Sequence, residues 1–166
     1  GIRDHCVTGV QTCALPILNY IAKKINAKKY LEIGVDQRLT FDHINIDYKV
    51  GIDPCVEGEN ILTQTSDDFF TNNKEKFDII LIDGLHHDDQ VYRDIINSLD
   101  ILNPDGYIFC HDMLPTSEHM QITPFSGGLW TGDCWRAFVE LRQTRDDLEM
   151  LTIDVDMGLE IGRAHV

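Results

Sequence analysis

Hydrophobic positions follow two different spacings along the chain, and the two kinds of segment alternate. Apolar residues three or four positions apart indicate the buried face of a helix, and short runs of mostly apolar residues indicate buried strands. We predict helices over Leu18–Ile25, Thr40–Ile46, Asp67–Asn73, His87–Leu102 and Trp135–Leu141. We predict strands over Lys29–Val35, Tyr48–Ile52, Ile61–Leu62, Phe77–Ile82, Tyr107–Cys110 and Leu148–Asp154.

The clearest strand and the clearest helix follow each other in the middle of the chain. Phe77–Ile82 is apolar on both faces, as a central strand of a parallel sheet must be. In His87–Leu102 the side chains of Val91, Ile95 and Leu99 form one apolar stripe. The repeated strand–helix–strand order predicts a single α/β domain, in which a parallel sheet carries helices on both faces.

Charge and cysteine content narrow the classes of function. The 166 residues include 28 acidic and 14 basic side chains, for a formal net charge of −14. Because such a surface repels phosphate backbones, we expect no nucleic-acid partner. No apolar run reaches the roughly 18 residues that a membrane span requires, so we expect no membrane association. Five cysteines without metal-site spacing favour a reduced, cytoplasmic protein.

The two ends of the chain do not share the alternating pattern. Residues 1–17 show neither spacing and resemble the translation of a sequencing adapter, and residues 160–166 resemble the corresponding sequence at the other end. We therefore expect a non-native or disordered leader, a non-native tail, and a folded domain over residues 18–159. On this interpretation the cysteines and histidines of the two end segments have no functional role.

Two polar motifs early in the chain follow predicted strands, and ligands of such sheets bind at the carboxyl ends of the strands. Gly34 comes after the first strand, where a glycine lets the backbone approach a ligand closely. Asp53 ends the second strand, 19 residues later, where a carboxylate can accept both ribose hydroxyls of a nucleoside. Each residue alone is typical of an ordinary turn. The pair predicts a nucleoside site, which suits a nicotinamide dinucleotide as well.

The ends of the next two strands carry a denser set of ionisable groups. Asp83 and His86 follow one strand, and His111 and Asp112 follow the next. One of the histidines is a candidate base for a hydroxyl proton, because imidazole titrates near neutral pH. The carboxylates can bind a divalent cation such as Mg²⁺ or support a base without a metal, and the sequence leaves both open. We assign the neighbouring His87 to the start of the following helix.

Two tryptophans flank a Gly-Asp turn later in the chain. Aromatic side chains beside such a turn can form the wall of an acceptor pocket. Trp130 is a candidate for this role, whereas Trp135 opens a helix and is assigned to packing.

Taken together, four stretches resemble the class I S-adenosylmethionine (SAM)-dependent methyltransferases. They are YLEIGVDQRLTF, VGIDP, FDIILIDGLHHDDQVYRDI with the downstream GYIFCHDMLP, and GDCWRAF, and they span residues 30–138. The branch they resemble is that of small bacterial and viral methyltransferases found beside sugar-modifying genes. The resemblance implies a Rossmann-like fold, SAM as the cofactor and a small-molecule acceptor.

The resemblance also implies a set of site residues. The implied cofactor-binding residues are Glu32, Gly34, Asp53, Ser66, Asp67 and Asp83. Ser66, which is also the predicted N-cap of its helix, would lie with Asp67 beside the adenine, and Asp83 would lie near the methionyl amine. The implied catalytic residues, facing the acceptor, are His86, His111 and Asp112.

Two features depart from the family pattern. Arg38 stands where these enzymes usually have a second glycine, and its guanidinium could crowd the cofactor or point away from it. The family also completes its sheet with an antiparallel strand between the fifth and sixth strands. Because the tail begins where that strand should start, we expect it to be truncated. We then expect Leu148–Asp154 to have an unpaired edge, and the domain to be marginally stable.

The predicted activity is methyl transfer from SAM to a hydroxyl oxygen of a small polar, sugar-like acceptor. His86 or His111 would remove the hydroxyl proton, assisted by Asp112 or a metal ion. One alternative is an NAD-dependent oxidoreductase, although the three-glycine phosphate loop of that class is missing. Another is a non-catalytic nucleoside-binding fragment.

Overall fold

The computed structural model describes residues 14–125 and 127–164, so most of the expected leader lies outside the described residues. The helices are α1 (Ala14–Ile25), α2 (Leu39–His43), α3 (Ser66–Asn72), α4 (Asp88–Asp100) and α5 (Trp135–Thr144). The strands are β1 (Lys29–Ile33), β2 (Tyr48–Ile52), β3 (Ile61–Leu62), β4 (Phe77–Ile82), β5 (Leu102–Cys110), β6 (Leu148–Ile153) and β7 (Leu159–Ala164).

The strands form one mixed sheet of seven strands in the order β3-β2-β1-β4-β5-β7-β6. The first five strands pair in parallel, and β7 runs antiparallel to both β5 and β6. The chain therefore moves outward from β1 to β3 and then returns to place β4 on the other side of β1. This confirms the predicted Rossmann-like α/β fold. It also puts the reversal of strand order, where such sheets bind ligands, between β1 and β4.

Helices cover both faces of the sheet, as predicted. On one face α3, α4 and α5 pack through Phe69, Val91 and Phe138. On the other face α1 and α2 pack through Leu18 and Phe41. Among the helices of the described residues, none has the length and hydrophobicity needed to cross a bilayer. Because β1 and β4 contribute to the cores on both faces, they lack the polar alternation of a half-exposed strand.

Helix α1 begins at Ala14, one turn before the predicted start at Leu18, and the expected leader overlaps this first turn. Ala14 and Leu18 are both buried in the core, with 2% and 0% exposure. Pro16 lies in the first turn, where a helix needs no N–H donor and tolerates proline. The predicted start is wrong because proline is common in loops and therefore did not suggest a helix. Packing in the core stabilises this first helical turn.

The C-terminal antiparallel strand is present in the structure. The expectation that it is truncated, leaving β6 without a neighbour, is wrong, because β7 pairs along the whole of β6. Leu159 and Ile161 point into the core with 0% and 6% exposure. The pairing itself uses backbone groups, which every non-proline residue supplies. This backbone pairing and the burial of the two side chains stabilise the strand, so residues 160–164 belong to the sheet.

Among the other element starts that differ from the prediction, those of α3 and β5 have a clear cause. Thr65, and not Ser66, caps α3, because its hydroxyl accepts a hydrogen bond from the Asp68 N–H at 3.2 Å. β5 begins at Leu102 instead of Tyr107, because it already pairs with the first residue of β4 ahead of a register shift. Both errors come from neighbouring polar residues that suit a turn or a cap equally well.

Candidate active site

The carboxyl ends of β4 and β5 lie side by side, and the residues after them form the candidate site. Asp83 follows β4 directly, and its N–H donates to the Ile33 carbonyl at 2.8 Å. His111 follows β5, and its N–H donates to the Ile82 carbonyl at 3.1 Å. Parallel pairing thus continues one residue past each strand, which fixes the backbone from which both side chains project.

Four side chains meet at this edge of the sheet. His86 Nε2 lies 3.5 Å from Asp83 Oδ1 and 3.4 Å from Asp112 Oδ2. His111 Nδ1 lies 3.5 Å from Asp83 Oδ1 and 3.4 Å from Asp112 Oδ1. The structure therefore brings together the three residues predicted to be catalytic and one predicted to contact the cofactor. We call these four side chains the His–Asp cluster.

The His–Asp cluster is largely shielded from solvent. The side chains of Asp112, His111 and His86 are 6%, 10% and 18% exposed, and that of Asp83 is 34% exposed. Among the described residues, Asp112 Oδ1 and His111 Nδ1 are buried without a hydrogen-bond partner. Buried polar atoms of this kind are costly unless a ligand, ion or water satisfies them, so the cluster has the character of a binding site.

The members of the cluster shift one another's pKa values. Burial by itself raises the pKa of Asp83, but the contacts and charges of His111 and His86 outweigh it and hold the pKa below its usual range. Burial by itself lowers the pKa of His111, but the carboxylates of Asp83, Asp112 and Asp156 raise it well above its usual range. The pKa of His86 is also raised, because Asp83 and Asp112 outweigh burial. Each imidazole therefore has a high affinity for a proton.

Asp156 is a further carboxylate at this site that the sequence did not single out. It lies in the turn between β6 and β7, and its Oδ2 is 3.2 Å from His111 Nε2. The Leu114 N–H donates to the Met157 carbonyl at 2.7 Å, which docks this turn on the segment after β5. The contact depends on a docking that no local pattern reveals.

The site has an arrangement that can hold a divalent cation. One ligand atom from each of Asp83, His86 and Asp112 lies within 4.8 Å of the others. His111 Nδ1 also faces both carboxylates. Carboxylate oxygens and imidazole nitrogens are both common metal ligands. The residues present therefore fit a divalent cation, and they fit a base without a metal as well.

The segment before α5 returns to the cluster and supports His86. The Trp130 ring stacks on the His86 ring, with centroids 5.2 Å apart and an angle of 28°. Gly132, with a φ of +61°, packs so closely that a Cβ there would lie 1.9 Å from the His86 carbonyl oxygen. Asp133 Oδ1 accepts a hydrogen bond from the Asp88 N–H at 3.1 Å, at the start of α4. The sequence indicated a turn here but did not reveal that Gly132 and Asp133 support the site.

Both tryptophans form hydrogen bonds with the loop between β5 and α5, which borders the cluster. The Trp130 indole N–H donates to the Ile122 carbonyl at 2.6 Å, and the Trp135 indole N–H donates to Gln121 Oε1 at 3.0 Å. Gln121 ends a short 3₁₀ helix within this loop. The loop is therefore tied at its middle to the same segment that supports His86.

Asp53, at the end of β2, uses its carboxylate to hold the backbone. Its Oδ2 accepts hydrogen bonds from the N–H groups of Val35 and Asp36, each at 3.1 Å. Its Oδ1 accepts from Cys55 at 2.8 Å and from Val56 at 3.1 Å. An ionised carboxylate offers about four acceptor positions, so all are engaged. A ribose hydroxyl would have to share or replace one of these donors.

Gly34 permits close contact between two strand ends. Its φ of +86° turns the chain out of β1, which therefore ends at Ile33 and not at the predicted Val35. A Cβ at this position would lie 2.0 Å from the Asp83 carbonyl oxygen. The absence of a side chain is thus required for the end of β1 to approach the residue that follows β4.

Three other predicted cofactor residues form hydrogen bonds with residues outside the His–Asp cluster. Glu32 is buried within the sheet and accepts a 2.6 Å hydrogen bond from the Tyr30 hydroxyl. Burial raises the pKa of Glu32 to about 8. Ser66 Oγ and Asp67 Oδ1 accept hydrogen bonds from Gln90 Nε2 at 3.2 Å and 3.3 Å, which ties them to α4.

The guanidinium of Arg38 is held along α2. Its Nε and Nη2 donate to Asp42 Oδ1 at 3.1 Å and 2.8 Å, and it lies over the Phe41 ring. A Cβ on Gly58 would lie 2.1 Å from its Nη1, so it also reaches the loop after β2. In the described residues its hydrogen bonds and ion pair are thus made within α2.

Comparison with known proteins supports a relation to methyltransferases. The family described as methyltransferase domain matches residues 55–113, a range that contains the entire His–Asp cluster. No curated protein matches the chain.

Solved structures with a similar fold include methyltransferases bound to SAM or its product S-adenosylhomocysteine (SAH). The SAH-bound methyltransferase PaMTH1 from Podospora anserina is 14% identical with a TM-score of 0.67, over 92% of this chain and 78% of that one. The O-methyltransferase TomG from Streptomyces achromogenes, in complex with SAM, is 14% identical with a TM-score of 0.66, over 92% and 80%. The Bacillus cereus O-methyltransferase in complex with SAH is 14% identical with a TM-score of 0.65, over 96% and 84%. At this identity the likeness establishes a shared fold.

Proposed function

We propose that this chain is a SAM-dependent methyltransferase that methylates a hydroxyl oxygen of a small polar, sugar-like acceptor. The observation that carries the proposal is the His–Asp cluster, in which two imidazoles and two carboxylates converge where β4 and β5 end. Ligands of this class of sheet bind at that edge. The match of residues 55–113 to a methyltransferase domain supports the same activity, and it disfavours the NAD-dependent alternative.

The cofactor side of the site would lie along the ends of β1, β2 and β4. SAM, when bound, supplies a methyl group on a positively charged sulfonium. Acidic side chains suit that charge, and those of Asp36 and Asp83 are at least partly exposed after β1 and β4. Asp53 would act mainly by holding the loop after β1. The proposed cofactor-binding residues are Glu32, Gly34, Asp53, Ser66, Asp67 and Asp83.

His86 is the general base in this proposal. Its Nε2 faces Asp83 and Asp112, whose charges stabilise the imidazolium that forms when the ring takes the hydroxyl proton. Trp130 stacks on the ring and limits its rotation. His111 is less suited to this step because both of its nitrogens face carboxylates. Holding the acceptor oxygen in line with the methyl group would supply the rest of the rate enhancement.

A divalent cation, for which Mg²⁺ is the sequence-based candidate, would be held by Asp83, His111 and Asp112. Such an ion polarises a hydroxyl oxygen and lowers the pKa of that hydroxyl. His86 would then remain available to take the proton.

Aromatic side chains beside the His–Asp cluster suit a sugar-like acceptor. Trp130 is in edge contact with Phe125, with ring centroids 5.3 Å apart, so an aromatic wall stands beside the polar cluster. A sugar-like molecule has both hydroxyls and apolar ring faces, and it suits such a site.

We also propose a cytoplasmic location, since Cys110 and Cys134 are buried free thiols and reducing compartments preserve thiols.

The proposal is tested by calorimetry with SAM and NAD⁺, followed by transfer of labelled methyl groups to a panel of acceptors. The panel contains monosaccharide glycosides, nucleotide sugars and aromatic diols, and cations are varied. We expect binding of SAM without binding of NAD⁺, and label on a sugar-like hydroxyl. Binding of NAD⁺ alone would contradict the cofactor assignment. SAM binding without transfer to any hydroxyl would contradict O-methylation.

A further inference from the structure

His111 is held between carboxylates on both sides of its ring, and the proposed reaction does not use one of them. On the inner side, Nδ1 lies 3.5 Å from Asp83 Oδ1 and 3.4 Å from Asp112 Oδ1. On the outer side, Nε2 lies 3.2 Å from Asp156 Oδ2. The three carboxylates come from the ends of β4 and β5 and from the turn between β6 and β7.

The turn that carries Asp156 is firmly attached to the segment after Asp112. Asp156, Met157 and Gly158 have consecutive positive φ values of +50°, +60° and +94°. Residues other than glycine keep this conformation only where the surrounding structure imposes it. The Leu114 N–H donates to the Met157 carbonyl at 2.7 Å, and a Cβ on Gly158 would lie 2.5 Å from the Leu114 nitrogen. Asp156 is thus placed against His111 by the backbone.

The distances from His111 Nδ1 to its two inner carboxylates suit ligands of one ion. Nδ1 lies 3.5 Å from Asp83 Oδ1 and 3.4 Å from Asp112 Oδ1, longer than the roughly 2.7–3.2 Å of an N–H···O hydrogen bond. Ligand atoms about 2.1 Å from a shared divalent ion lie roughly 3.4 Å apart at tetrahedral angles. Among the described residues, His111 Nδ1 and Asp112 Oδ1 are buried without a hydrogen-bond partner. Their side chains are 10% and 6% exposed, so both atoms would gain from an ion.

We propose that Asp156 is a positioning residue that holds His111 with Nδ1 directed at Asp83 and Asp112, so that the centre prefers imidazole-binding divalent cations to Mg²⁺. Histidine ligands commonly donate their second ring N–H to a carboxylate, which fixes the tautomer and the orientation of the ring. Oxygen ligands alone suit Mg²⁺, whereas an imidazole nitrogen favours ions such as Co²⁺ and Zn²⁺. The inference rests on the proposed function in placing a cation at the cluster.

Cobalt is the first probe, because its binding is visible in the absorption spectrum as well as by calorimetry. We expect the unmodified chain to bind Co²⁺ at least about tenfold more tightly than Mg²⁺. Asp156→Asn should weaken Co²⁺ binding by about 10- to 100-fold and alter the absorption bands. Asp154→Asn, an exposed position of the same turn with the same change of charge, should bind Co²⁺ like the unmodified chain. Asp156→Glu should restore part of the affinity.

These outcomes distinguish a positioning role of Asp156 from a general effect of its negative charge on cation binding. Equal weakening by Asp156→Asn and Asp154→Asn would overturn the positioning role, and tighter binding of Mg²⁺ than of Co²⁺ would overturn the cation preference. If Asp156→Asn does not fold, ¹⁵N NMR of the unmodified chain with Zn²⁺ decides. Metal-bound Nδ1 and protonated Nε2 on His111 support the proposal, and any other state of that ring overturns it.

Methyl transfer measured on the same samples keeps this inference distinct from the proposed function. Co²⁺ binding as expected, together with no transfer to any acceptor, would contradict the proposed function alone. Transfer to a sugar-like hydroxyl by a chain that binds no Co²⁺ would contradict the cation inference alone.

Discussion

The two polar regions at the carboxyl edge of the sheet use their carboxylates in opposite ways. Where β1 and β2 end, the carboxylate of Asp53 accepts four backbone N–H groups. Where β4 and β5 end, Asp83 and Asp112 face histidine rings, and in the described part of the chain Asp112 Oδ1 has no hydrogen-bond partner. The first region is satisfied by the chain itself and stabilises loops. The second requires a proton, an ion or a ligand, and we therefore propose it as the reactive region.

The largest effect is expected from His86→Ala, which removes the proposed base from the reactive region. We expect kcat to fall by about 10²- to 10⁴-fold with little change in the Kd of SAM. His87→Ala is the matched control, because in the described part of the chain this neighbour does not cap α4 through its side chain. Labelled methyl transfer and calorimetry measure the two quantities. An equal loss of activity in both variants would remove the distinction between the two histidines.

Asp53→Asn tests the loop-stabilising region. The amide offers one carbonyl oxygen in place of a carboxylate that accepts four N–H groups, so we expect a loss of roughly 3 kcal/mol in the free energy of unfolding. Glu57→Gln, an exposed position of the following loop, should leave it unchanged. Urea denaturation measures both variants. Full stability of Asp53→Asn with loss of SAM binding would show that Asp53 serves the ligand and not the loops.

Glu160, a buried carboxylate in β7, sharpens the comparison, because within the described residues its side chain contacts Thr152 and Arg142 and not backbone donors or histidines. It pairs in register with Cys110 and is 4% exposed. Burial raises the pKa of Glu160 from 4.5 to about 7. Between these values the folded chain binds more protons than the unfolded chain, so the free energy of unfolding should fall as pH rises, by about 3 kcal/mol.

Glu160→Gln removes this titration. The variant should lose less stability than the unmodified chain between pH 5 and pH 8 and should be the more stable of the two at pH 8. Urea denaturation at both pH values measures the difference. Parallel pH dependence in the two proteins would mean that the Glu160 carboxyl is not held in its neutral form by the fold.

The smallest effect is expected from Arg38→Gly. The guanidinium is paired with Asp42, so we expect the Kd of SAM to change by less than about threefold. The exposed i,i+4 pair contributes only about 0.3–0.5 kcal/mol, and glycine suits the φ of +65° at this position. Calorimetry with SAM provides the measurement. A gain in affinity of about tenfold would show that the guanidinium crowds the cofactor.

Much of the fold was predictable because its signals are local. The apolar run of β4 gave the correct bounds, since burial on both faces leaves a clear sequence signal. The first turn of α1 and the strand β7 were not predicted. Both are stabilised by packing onto distant elements, Ala14 and Leu159 being buried in the same core, and neither has a pattern that distinguishes it from an end segment.

The candidate site was predictable only in part. Asp83, His86, His111 and Asp112 could be found because parallel strands end at one edge, so residues after neighbouring strands meet. The supporting contacts could not be found in this way. Asp133 reaches α4 from a position 45 residues away along the chain, and spacing in a sequence carries no information on such a docking.

The sequence by itself determined the order of strands and helices from α1 to β6 and which ionisable residues follow these strands, because side-chain periodicity and turn chemistry act over a few residues. Only the tertiary structure decided how those residues are used. It engaged Asp53 with backbone N–H groups, buried Glu32 against Tyr30, and brought Asp156 to His111. Strand register and turn docking join positions far apart in the chain, and they decide whether a carboxylate finds a backbone donor, a hydroxyl or an imidazole.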